Sequence, residues 1–72
     1  MSNPIFAQIK NNFMYHKPKP GQPEKYEQLR SEGKILAMLI EESCPDSREK
    51  SIAITKLEEA IMWANASIAR NE

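Results

Sequence analysis

A single cysteine, a single histidine and only two glycines leave this chain without the parts that most enzymes and metal proteins need. There is no Cys-x-x-Cys and no histidine pair, so a zinc site lacks ligands. His16 and Cys44 fall in no recognisable nucleophile-and-base pattern. Gly21 and Gly33 are too few for a phosphate-cradling glycine-rich loop. Glu41-Glu42 and Glu58-Glu59 are carboxylate pairs, but neighbours on a helix point about 100° apart and read as solvated faces. The expectation is a protein that is not an enzyme and carries no metal or cofactor. No apolar run approaches the ~18 residues that span a bilayer, because Lys56, Glu58 and Glu59 break the best candidate. No signal-peptide pattern is visible, and a lone Cys44 forms no internal disulfide. Both fit a reducing cytoplasm.

Charge is balanced at ten basic against ten acidic side chains, which argues against a binder of duplex nucleic acid. The balance is uneven along the chain. Residues 1–23 carry Lys10, Lys17 and Lys19 and no acid, so that end is locally basic and suited to small anions. An apolar content of 40% with 28% charged residues is ordinary for a folded domain.

The pattern is all-α: an antiparallel helical hairpin preceded by a short helix, within a single domain over residues 1–72. Ser2 or Asn3 caps a helix over about 3–13, with Pro4 in its first turn and Ile5, Ile9 and Phe13 on one stripe beside Phe6. Residues 14–23 hold Pro18, Pro20, Pro23 and Gly21 and cannot continue a helix. The second helix, about 24–43, shows Tyr26, Leu29, Gly33, Leu36 and Ile40 at three-four spacing, widened by Ile35 and Leu39. The third, about 47–70, repeats that spacing through Ile54, Leu57, Ile61, Ala64 and Ile68. Asp46 or Ser47 caps it, and Asp46 with Glu49 loosely fits a capping box.

From Ala60 to Ala69 only Asn65 and Ser67 are polar. A helix apolar on every side must be buried on several sides. A chain of 72 residues cannot wrap it, since a domain this small buries only ~60% of its unfolded surface. Other copies of the chain must therefore take up the surplus, with Ile61, Trp63, Asn65 and Ile68 at the interface and Asn65 fixing its register. Gly33 costs ~1 kcal/mol in a helix interior, which points to close approach of a neighbouring helix.

Tyr15, His16, Lys17 and Lys19 form the sharpest cluster. The plain reading is a solvated connector with Tyr15 packed on the hairpin. The functional one stacks the ring on a base and sets the ammonium groups against phosphate. Arg30 and Lys34 share a face of the second helix. Glu27 offers Arg30 an ordinary surface ion pair; alternatively, a connector folded back over this helix brings both cations to Tyr15 and Lys17. Arg70 near a helix C-terminus is favourable for the dipole alone, unless symmetry gathers several copies around an anion.

The stretches SREKSIAITKLEEAIMWANASIARNE at 47–72, NNFMYHKP at 11–18 and YEQLRSEGKILA at 26–37 resemble the phage anti-CBASS cyclic-nucleotide sponges, whose hairpin domain is shared with a phage anti-Thoeris sponge. The resemblance implies a homohexamer in the host bacterial cytoplasm. It would sequester cyclic dinucleotides, and in related members cyclic trinucleotides, without catalysis. The family's dinucleotide pocket lies between protomers and uses an aromatic, a basic group and a hydroxyl. The aromatic maps onto Tyr15, with His16 and Lys17 beside it; the basic group maps onto Arg30 or Lys34, and the hydroxyl onto Ser31. A trinucleotide site would use Arg70 and Asn71. The rival readings are a small interaction module docking through its apolar C-terminal helix, and a nucleic-acid accessory protein whose affinity collapses with salt.

Overall fold

The computed structural model describes residues 4–72, so the expected Ser2 or Asn3 cap lies outside the described residues. Three helices follow in order: α1 (Pro4–Phe13), α2 (Gln22–Ser43) and α3 (Arg48–Asn71). No strand occurs among the described residues. The chain is a thin antiparallel hairpin of α2 on α3, measuring 54 × 28 × 13 Å. The smallest extent is little more than one helix diameter, about 10–12 Å.

Turn chemistry sets the ends of the hairpin helices. Gly21, at φ 86°, takes the left-handed conformation that glycine adopts without penalty, and α2 starts at Gln22, slightly ahead of the expected 24. Cys44 is extended before Pro45 and its N–H donates to Ile40 O at 3.0 Å, which stops α2 where the proline predicts. The α3 cap differs from the capping-box reading. Ser47 Oγ accepts from the Lys50 N–H at 3.1 Å, while Asp46 Oδ1 instead takes Lys50 Nζ at 2.6 Å. Lys50 also reaches Glu41 Oε1 at 3.1 Å and the Glu41 carbonyl at 3.3 Å, pinning α2 to α3 at the turn.

Along the hairpin the contact face of α3 follows the expected stripe, with Ile54, Leu57, Ile61, Ala64 and Ile68 half-buried. That of α2 runs instead through Tyr26, Leu29, Gly33, Ala37 and Ile40. Leu36, read as part of the stripe, is 44% exposed, and Ile35 and Leu39 more so. The reason is close packing at Gly33. A Cβ there would stand 2.9 Å from Cδ1 and Cγ1 of Ile61, so the small residues Gly33 and Ala37 face α3 and the bulky ones turn outward.

No hydrophobic residue among the described ones is fully buried. One face of α1 stays open through Phe6 and Phe13, and α3 leaves Met62 and Trp63 largely uncovered. No helix among the described residues is long and apolar enough to cross a membrane.

Candidate functional site

The connector does not fold back over α2; it closes on the C-terminal end of α3. His16 Nε2–H donates to the Asn11 carbonyl at 2.8 Å, turning the chain out of α1. Asn11 Nδ2 donates to the Arg70 carbonyl at 3.1 Å, and that bond ties the end of α1 to the end of α3. Lys19 N–H then donates to Gln22 Oε1 at 2.9 Å. The result is a cleft of about 390 Å³ in which Tyr15, His16, Lys17 and Lys19 face Arg70 and Glu72.

Within it, Tyr15 is 81% exposed and does not pack on the hairpin as the plain reading expected. An aromatic face left in solvent beside two ammonium groups and a guanidinium can stack a base while the cations meet phosphate. Arg70 also leans over Trp63, its guanidinium carbon 6.0 Å from the ring centroid, at the outer limit of cation–π attraction. Asn71 Nδ2 is turned back to the Ser67 carbonyl at 3.0 Å.

Glu72 closes the far side. Lys25 Nζ donates to its Oε2 at 2.5 Å, Gln22 Nε2 donates to its Oε1 at 3.2 Å, and Lys19 Nζ donates to its main-chain oxygen. The Lys25 hydrogen bond, then that of Gln22, holds the Glu72 carboxyl below the ordinary carboxylate range. Sequence reasoning missed both Gln22 and Glu72. Neither stands in a motif, and the two meet only because α3 returns to the start of α2. Lys50 was missed as well, though its i,i+4 spacing from Asp46 was readable.

Arg30 and Lys34 lie elsewhere. They line a groove of about 260 Å³ between α2 and α3 with Gly33, Ala37, Leu57, Glu58 and Ile61. Arg30 Nη2 pairs with Glu27 at 2.8 Å on the open surface, the ordinary ion pair expected from the spacing. Ser31 is exposed and lines neither cavity. Within this chain, therefore, the aromatic and basic parts of the expected dinucleotide pocket are apart, whereas Tyr15, His16 and Lys17 share their cleft with Arg70.

Of the four residues expected at an interface, Ile61 packs on Gly33 inside the hairpin and Ile68 is half-buried. Trp63 is 62% exposed. Asn65 Oδ1 is enclosed yet has no hydrogen-bond partner among the described residues, beside Tyr26, Arg30, Ala66 and Ala69. An enclosed acceptor left unpaired costs about 1–3 kcal/mol.

No curated protein and no solved structure matches the chain. The family model for the Acb2/Tad1 hairpin domain matches residues 7–69, most of the length, and this chain belongs to that family, the phage sponge proteins that counter CBASS and Thoeris defences.

Proposed function

We propose that this protein sequesters cyclic dinucleotides, and in a second mode cyclic trinucleotides, and so withholds the signal that activates CBASS effectors in the host cytoplasm. The carrying observation is the connector cleft, where an exposed aromatic ring, an imidazole and several cations converge at the end of α3 in a chain of the sponge family. A cyclic dinucleotide presents two bases and two phosphates, and that combination of partners suits both. The stiff backbone of Pro18 and Pro20 supports the same reading, because a preset loop loses less entropy on binding.

Arg30, Lys34 and Ser31 complete the dinucleotide pocket from a neighbouring protomer. Self-association, as a homohexamer, is supported by the lack of a buried apolar core among the described residues and by the unpartnered Asn65 Oδ1. A second copy supplies the donor that Asn65 lacks. Arg70 and Asn71 serve a trinucleotide where symmetry gathers several chain ends. Binding without turnover needs no nucleophile, which suits this residue set.

The exposed Met62 and Trp63 favour one rival, a module that docks another protein through α3. Calorimetry of the purified chain against a panel of cyclic di- and trinucleotides separates the two. The sponge reading expects saturable heat with at least one of them and recovery of the intact ligand after heating. Absence of heat across the panel leaves the docking module in front.

A further inference from the structure

The most enclosed side chain among the described residues is polar: Gln22, in the first turn of α2, is 4% exposed. Both ends of its amide are used. Oε1 accepts from the Lys19 N–H at 2.9 Å, and Nε2 donates to Glu72 Oε1 at 3.2 Å. Glu72 is held in turn by Lys25 Nζ at 2.5 Å. A buried amide is costly unless satisfied, and a satisfied one fixes the segments it joins. Position 22 thus ties the connector to the end of α3.

We propose that the Gln22–Glu72 pair is a latch that presets the connector, which makes Gln22 the positioning residue for the Tyr15, His16 and Lys17 cluster. The proposal rests on the reading above that this cluster meets a cyclic oligonucleotide. Gln22 acts through the backbone. Both of its hydrogen bonds to the connector are at Lys19, whose N–H donates to the side chain at 2.9 Å and whose carbonyl takes the Gln22 N–H at 3.0 Å. Pro18 and Pro20 restrict the chain on either side of Lys19. Fixing Lys19 therefore limits where Lys17, His16 and Tyr15 can point. With the latch open, the connector samples other orientations and the binding-competent fraction falls, which lowers apparent affinity by that fraction.

The test uses the full chain, with cyclic GMP–AMP as probe and amide exchange at Lys19 as a ligand-free readout. Gln22→Ala removes the acceptor, and Gln22→Glu sets a carboxylate against that of Glu72. In Gln22→Ala the Lys19 amide should exchange about tenfold faster or more. Both variants should bind the probe about tenfold more weakly. Combining Gln22→Glu with Glu72→Gln exchanges the two groups: the amide at position 72 then donates to the carboxylate at position 22, and wild-type affinity should return. With binding read well below the melting transition, a side chain that merely stabilised the fold would leave affinity unchanged in every variant. Recovery in the double variant assigns the loss to the 22–72 hydrogen bond itself. A wild-type exchange rate at Lys19 in Gln22→Ala overturns the latch, as does a double variant no better than Gln22→Glu. Faster exchange with unchanged affinity overturns the positioning role. If the wild type gives no heat with the probe, the functional reading fails for that ligand, while Lys19 exchange still decides the latch.

Discussion

Tyr15 and Gly33 show how far single residues differ in what they are for. Tyr15 leaves its ring in solvent, so truncation removes little that holds the hairpin together. Tyr15→Ala should leave the melting curve within about 0.5 kcal/mol of wild type. It should weaken a cyclic dinucleotide by about 1–3 kcal/mol, the scale of one stacked base. Calorimetry paired with thermal melting reads both, and a large loss of stability would reassign the ring to packing. Gly33 is the opposite case. Ala in a helix interior gains about 1 kcal/mol over Gly. Here the added Cβ meets two Ile61 atoms at 2.9 Å, and overpacking costs about 1–3 kcal/mol. Gly33→Ala should therefore destabilise the chain in urea unfolding, and the same change made on top of Ile61→Ala should stabilise it. The need for close approach was visible in the sequence, because a mid-helix glycine is costly without a reason. That Ile61 is the partner was not.

At the scale of elements, α3 is anchored at its start by one hydroxyl and one ammonium group. Ser47→Ala deletes the acceptor for the Lys50 N–H and should cost about 1 kcal/mol, read as a lower Tm. The ammonium makes the turn pH-sensitive. Hydrogen bonds to Asp46, then Glu41, raise the Lys50 pKa above its usual 10.5. Its contribution is fully present below pH 10.5 and is lost as pH rises through the higher folded-state value. Asp46, its pKa lowered from 3.8 by the Lys50 hydrogen bond, and Glu72, lowered from 4.5 by that of Lys25, behave the other way. Their contributions are present above those ordinary values and disappear as pH falls through the depressed ones. A Tm profile against pH should decline on both flanks, and Lys50→Met should flatten the alkaline one. Helix spans were legible because prolines, Gly21 and apolar spacing act locally. The α2 contact face was not, since periodicity cannot distinguish Leu36 from Ala37 until the neighbouring helix chooses the smaller side chain.

The whole molecule has the proportions of half a layer. Its radius of gyration is 16.1 Å, against about 11 Å for a compact chain of this length. Two helices side by side enclose no volume, so apolar residues pack along one seam and the remainder stay uncovered. The proposed self-association would cover them. Trp63→Glu alters a side chain already 62% exposed and should spare the protomer, yet sedimentation should show a smaller species as the added charge meets the interface. An unchanged species would place Trp63 outside the contact. The surplus of apolar surface was plain in the run from Ala60 to Ala69, because composition alone shows that so short a chain cannot bury it.

The sequence by itself determined three helices, the stop of α2 ahead of Pro45, a tight crossing at Gly33 and a cluster of ring and cations on a proline-stiffened connector. Those features depend on residues near one another in the chain, where backbone sterics and helical spacing act directly. Only the tertiary structure decided where the connector goes. Asn11 meets the carbonyl of Arg70, and Gln22 meets Glu72, across almost the whole length of the chain. Such contacts arise from how the hairpin returns upon itself, and no local pattern encodes them. That return separates Tyr15 from Arg30 and sets it beside Arg70.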